Sequence, residues 1–148
     1  MTESLRSSRL EPIARIADHR EQAAARDFGR LQEVLVAQEQ RLAELRAWWQ
    51  EYADGLDKQS GRGSGLMREG RLFLAQLNDA IERQRGMVEY ARRDLEAARA
   101  RWLASRMDHE ALDKVVARCK DEESRRARRG EQREQDECAA RSTRPEIT

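Results

Sequence analysis

His19, His109, Cys119 and Cys138 are the side chains here best suited to nucleophilic, acid–base or metal chemistry. None of them stands at the short intervals that bring Cys or His ligands onto one ion. Cys119 and Cys138 lie nineteen apart on what reads as a single helix, too far to bridge within the chain, so reduced thiols are expected. The stretch Gly61-Arg62-Gly63-Ser64-Gly65 has the glycines of a phosphate loop. It lacks the preceding strand and the following Gly-Lys-Ser/Thr that such a loop needs. Glu and Asp abound, but as solvated helix charges with no enclosed site to tune them. Arg125-Arg126-Ala127-Arg128-Arg129 could touch phosphates. Asp121, Glu122 and Glu123 before that run, and Glu131, Glu134, Asp136 and Glu137 after it, cancel most of its field. The expectation is a protein with no catalytic residue, no cofactor, no metal site and no nucleic-acid partner.

The elements that carry these residues are written in a heptad repeat. In the first half Leu10, Ala17, Ala24, Leu31, Gln38, Leu45 and Tyr52 fall seven apart, interleaved with Ala14, Glu21, Phe28, Leu35, Leu42, Trp49 and Leu56. The second half repeats the design, with Leu74, Ile81, Val88, Leu95, Trp102, His109 and Val116 against Leu77, Gln84, Ala91, Ala98, Ser105, Leu112 and Cys119. A pair recurring every 3.5 residues on average is a coiled-coil seam. His109 therefore reads as a polar seam residue that fixes register. Between the halves, Asp54 to Gly65 carries four glycines. Seam, break and seam in 148 residues predict an all-α fold, two long helices forming an antiparallel coiled-coil hairpin with the second extending past the first.

Bulk composition agrees. Charged residues make up 39% and aromatics 5%, which suits a well-solvated helix pair rather than a globule with a deep core. A net charge of +1 gives no global attraction to nucleic acid or an anionic bilayer. No apolar run is long enough to span a membrane, and Met1 to Ile13 lacks the apolar segment of a secretory signal, so a cytoplasmic location is expected.

The pattern predicts one domain over 1–148: helix one about 11–53, a glycine-rich loop about 54–65, helix two about 66–140 and a disordered tail 141–148. Pro12 fits a first turn, where its missing N–H has no helical acceptor. Helix one would run about 60 Å, with Gly29 costing about 1 kcal/mol in its interior. Folding back at the glycines sets Leu10 opposite Leu112 to Val116. Beyond Cys119 the seam positions are Glu123, Arg126, Gly130, Arg133 and Glu137, which leaves the end of helix two without an apolar partner.

The seam's two flanks differ. One holds Arg85, Arg92, Arg99 and Arg106 against Glu11, Asp18, Gln32 and Glu39, a set that reads as interhelical pairing. The other holds Ile13, Val34 and Trp48 with Phe73, Ala80, Met87 and Val115. Near the loop Trp48, Trp49, Tyr52, Phe73, Leu74 and Leu77 outnumber the two seam places per heptad. They read either as a plug closing that end or as an exposed docking patch, since Trp and Tyr dominate interface hot spots. Both hold if Trp49 and Tyr52 lie inside while Trp48 and Phe73 face out.

Gln59 to Gly65, then Arg71 through Arg85, the Arg101-Trp102 pair, Leu112-Asp113-Lys114-Val115-Val116 and the Glu131 to Glu137 run resemble the FliJ family of the flagellar type III export apparatus, over nearly the whole chain. The resemblance implies a cytoplasmic, non-enzymatic coiled coil at the base of the flagellum, similar to the stalk subunit of rotary ATPases. Its implied partners are the ring of the flagellar export ATPase, whose assembly and activity it promotes, and the cytoplasmic domain of the export gate, with export chaperones as further candidates. Membrane association would run through partners only, and the protein would be monomeric. The family's gate-contacting positions map onto Leu45, Trp48, Tyr52, Phe73, Leu77, Ala80 and Gln84, and Arg41 stands where a glutamine is expected. The unpartnered helix end, with Cys119, Glu123, Arg126, Arg129 and Arg133, would thread the ATPase ring. Two other readings remain open: the equivalent stalk protein of a virulence-type injection system, and a structural coiled-coil adaptor with no motor partner.

Overall fold

Between Pro12 and Pro145 the chain has no proline and is rich in Ala, Arg, Glu, Leu and Gln, the residues that lose least on entering a helix. The computed structural model describes residues 5–58 and 63–143. They form two α-helices, α1 (Arg6–Lys58) and α2 (Ser64–Ser142), with no strand among the described residues. The all-α, antiparallel pair with a longer second helix is as the heptads predict. The chain divides into two compact units, one of residues 23–103 and one combining 5–22 with 104–143.

Both helices overrun their expected limits. α1 starts at Arg6 instead of near Glu11, so Pro12 lies inside it and has no N–H to give the Ser8 carbonyl. Its early start has a cause on the other helix: α1 has no acidic residue in its first turn, and Glu123 of α2 supplies one. Ser7 donates its N–H to Glu123 Oε1 (3.0 Å) and its hydroxyl to Oε2 (2.6 Å), which satisfies an orphan first-turn donor and sets a negative charge at the helix's positive end. At the other end α1 continues through Asp54 and Gly55, residues expected in the loop. Leu56 packs there against Gly70, where a Cβ would stand 2.4 Å from Leu56 Cδ2. Gly63, with φ of 68°, leads directly into α2. The middle of the expected loop, 59–62, and most of the expected tail, 144–148, lie outside the described residues. Of that tail, Arg141 and Ser142 are helical, and the Thr143 N–H closes the end on the Ala139 carbonyl (3.1 Å).

In the 23–103 unit, the core is Leu42, Leu45, Ile81 and Val88, with Leu35, Trp49 and Ala80 packed on it. Ala91 and Ala98 are buried beside it, small enough to let the helices approach. Phe28 stacks on Trp102 (5.7 Å between centroids), and Gln84 Nε2 donates to the Gln38 carbonyl (3.0 Å) and to Gln38 Oε1 (2.6 Å). That paired amide in an apolar seam fixes register, because a slip would bury it unsatisfied.

The other unit is more polar. Ala17, Val116 and Cys119 are its buried apolar side chains, joined by Ser7. Lys120 meets Glu11 (3.1 Å), so Leu10, between Ser7 and Glu11, lies near Cys119 and not opposite Leu112 to Val116. Leu10 thus sits about one helical turn beyond the nearer end of that expectation, since Cys119 follows Val116 by three residues. Among the described residues no large side chain is fully buried, as a two-helix seam dictates.

Candidate functional site

The expected gate-contacting residues all belong to the 23–103 unit, and packing sorts them. Leu45 is buried in the core, Gln84 is buried against Gln38, and Leu77 and Ala80 are half-buried. Trp48 (48% exposed), Phe73 (44%) and Tyr52 (39%) remain on the surface. Tyr52 was expected inside; it instead leans on Phe73 across the seam, with ring centroids 4.6 Å apart at 54°. The cause is crowding. Trp49 takes the interior beside Leu45, its buried Nε1 with no hydrogen-bond partner among the described residues, and the tyrosine is displaced outward. Arg41, which ion-pairs with Glu44 (3.5 Å), lies over the Trp48 ring at 5.3 Å from its centroid. The result is a three-ring surface with a cation on one edge, amphipathic and only partly desolvated. Surfaces of this kind anchor partner proteins because each ring buries much area while fixing few torsions.

The expected arginine ridge forms in part. Arg92 meets Glu39 across the seam (3.4 Å), and Asp27 receives Arg101 (3.4 Å) as well as its own neighbour Arg30 (2.8 Å). The hydrogen bond from Arg30 is the main cause that holds the Asp27 carboxyl below its ordinary value; burial opposes it, and Arg101 adds a lesser lowering. Arg85 pairs with Glu82 and Arg106 with Glu110 along α2, where a neighbour on the same helix is reached with less side-chain ordering. Such exposed pairs are worth a few tenths of a kcal/mol each.

The expected ATPase-contacting set belongs to the other unit. Cys119 is buried, and Glu123 is engaged by Ser7. Ser7's hydroxyl and N–H hold the Glu123 carboxyl below its ordinary value. From Ser124 to Thr143 every residue is exposed, including Arg126, Arg129 and Arg133. Continuing the three-four alternation one step, to Ser7 and Glu123, locates the capping contact in the sequence.

The same unit holds a cluster that spacing alone missed. His109 presents Nδ1 to the Glu21 carboxylate, while its Nε2 faces Asp113 Oδ2 (3.2 Å) and Asp18 Oδ1 (3.9 Å). Glu21's hydrogen bond is the main cause of a raised His109 value, partly opposed by burial and supported by the charges of Asp113, Glu21 and Asp18. The sequence signal was His109 and Asp113 four apart on one helix face; Asp18 and Glu21 come from the other helix and are invisible without the register.

Comparison with known families gives one result. The family model for the flagellar FliJ protein matches residues 6–146, which takes in both helices. No match was found to a curated protein or to a solved structure.

Proposed function

Because this chain belongs to the flagellar FliJ family and is thereby a component of the flagellar protein-export apparatus, we propose that it acts as the stalk of the export ATPase ring and links that ring to the export gate. The observation that carries this reading is the course of α2 after Glu123. Its residues run helical and exposed to Ser142, with Arg126 sharing a surface depression with Arg6 and Arg9 at the start of α1 and the rest continuing beyond it. A solvated helix rich in alternating charge needs no partner to remain soluble, yet offers Arg126, Arg129 and Arg133 to a ring lining of complementary charge. Ring contact would fall on these arginines, since Cys119 and Glu123 are occupied within the chain.

The gate contact falls to Trp48, Tyr52 and Phe73, with Leu77 and Ala80 at their edge. Leu45 and Gln84 support that surface from beneath, through the core and the Gln38 pair. The protein is read as non-catalytic, cytoplasmic at the flagellar base, monomeric, and peripheral to the membrane through its partners. Among the described residues no helix is long and apolar enough to cross a membrane. The family match supports the flagellar reading over an injection-type system.

Parallel binding measurements test the division of labour. Trp48→Ala and Phe73→Ala should each lose about 2 kcal/mol of affinity for the gate's cytoplasmic domain, roughly 30-fold, while holding the ATPase normally. A chain ending at Ser124, which keeps the Glu123 cap, should do the reverse. Full gate binding by both aromatic variants contradicts the patch, and full ATPase binding by the shortened chain contradicts the stalk.

A further inference from the structure

We propose that His109, Asp113 and Asp18 form a binding site for one divalent transition-metal ion of the zinc class, with Glu21 orienting the imidazole from behind, so that the ion clamps α2 to α1.

The cluster has more acid than a register-fixing pair requires. One carboxylate, Glu21, suffices to hold a seam histidine, and it engages Nδ1. Asp18 and Asp113, one from each helix, converge on the other nitrogen as well. An imidazolium sets one positive charge against three negative ones. Lys120, in the same depression, is paired with Glu11 at 3.1 Å, and Arg15 lines its rim. A dication at Nε2 would replace one proton and add a further positive charge where three anions meet.

The geometry is that of a ligand set with its supporting shell. Glu21, accepting the Nδ1 hydrogen, fixes the tautomer in which the Nε2 lone pair points at Asp18 and Asp113. A carboxylate behind a liganding histidine is the usual second-shell arrangement and raises the ring's basicity. His109 and Asp113, four apart on α2, project from one helix face, and Asp18 closes the set from α1. Around zinc, nitrogen and oxygen ligands at ordinary bond lengths stand roughly 3.3 Å apart. The Nε2 to Asp113 separation of 3.2 Å already fits, and the 3.9 Å to Asp18 closes with a small side-chain rotation. The ligand atoms of Asp18, Glu21 and His109 lie within 4.8 Å of one another, and Asp113 joins this group through its 3.2 Å approach to Nε2. An imidazole among the donors favours zinc, nickel or cobalt over magnesium or calcium, which take oxygen alone. Binding displaces to solvent the Nε2 proton that an imidazolium would carry, and water completes the coordination.

The clamp would act in the unit whose seam has the fewer buried apolar side chains, so ordering of the first part of α1 against α2 would become metal-dependent. The test uses the full chain, stripped with chelator and titrated calorimetrically with Zn²⁺ alone at about pH 7.5, near neutrality where carboxylates are ionised. Co²⁺ alone is added in parallel and followed by visible absorption. The expected result is one ion per chain, a raised melting temperature, and a cobalt spectrum of nitrogen and oxygen ligands. Asp113→Asn, at a side chain 60% exposed, should weaken binding roughly tenfold or more without unfolding the protein, and His109→Gln should abolish it. Cys138→Ser, removing the exposed thiol, should change nothing. Absence of saturable binding, unchanged affinity in Asp113→Asn, or a thiolate-to-cobalt band lost in Cys138→Ser would each overturn the assignment.

Discussion

Glu123 closes the first turn of α1 from the opposite helix, and that contact gives the helix start a pH response. Ser7's donors lower its carboxyl below the ordinary 4.5. A lowered carboxylate contributes stability that is fully present above the ordinary value and is lost as pH falls through the lowered one. Acidification below about 4.5 should therefore release residues 6–12 before the 23–103 unit changes. Amide exchange at Ser7 and Arg9 reads this directly, and Glu123→Gln should show the released state already at neutral pH. Equal acid sensitivity of those amides in Glu123→Gln and the parent chain would mean that another group caps the helix. At this scale the sequence was legible wherever a residue's environment depends on its own helix. Leu42, Ile81, Val88 and Ala98 are buried where the heptads put them. Tyr52 and the carboxylates that α1 brings to His109 were not legible, because their surroundings are set by which residue of the other helix arrives beside them.

Among the elements, glycine separates positions that serve the fold from those that weaken it. At Gly29 and Gly86 an added methyl group meets nothing within 4 Å, so each glycine only costs helix propensity. Gly29→Ala and Gly86→Ala should each stabilise by about 1 kcal/mol and raise the melting temperature by about 2–4 °C. Gly70→Ala should lower it, since the new Cβ overlaps the Leu56 side chain. Thermal unfolding of the three variants checks the set; a stabilising Gly70→Ala would mean that Leu56 does not hold the end of α1 there. The extent of α1 was misread for this reason. Asp54 and Gly55 look like loop residues by propensity, while a contact made by Leu56 decides otherwise. The start was misread because its cap comes from 116 residues away.

For the molecule as a whole, the same seam pattern yields two units of different character. The 23–103 unit spends its seam on aliphatic and aromatic side chains and has rings left over for its surface. The other spends it on ion pairs and one histidine, then continues as a solvated helix. Heptad periodicity made the fold class plain, since it needs only one chain's own spacing. Register and the division into units were not, because a seven-residue slip leaves the repeat unchanged. If the helix after Glu123 is the stalk, it should govern ATP hydrolysis by the cognate flagellar export ATPase. The full chain, Trp48→Ala and Phe73→Ala should all stimulate hydrolysis, while the chain ending at Ser124 should not. No stimulation by the full chain, or equal stimulation by the shortened one, would contradict the stalk role.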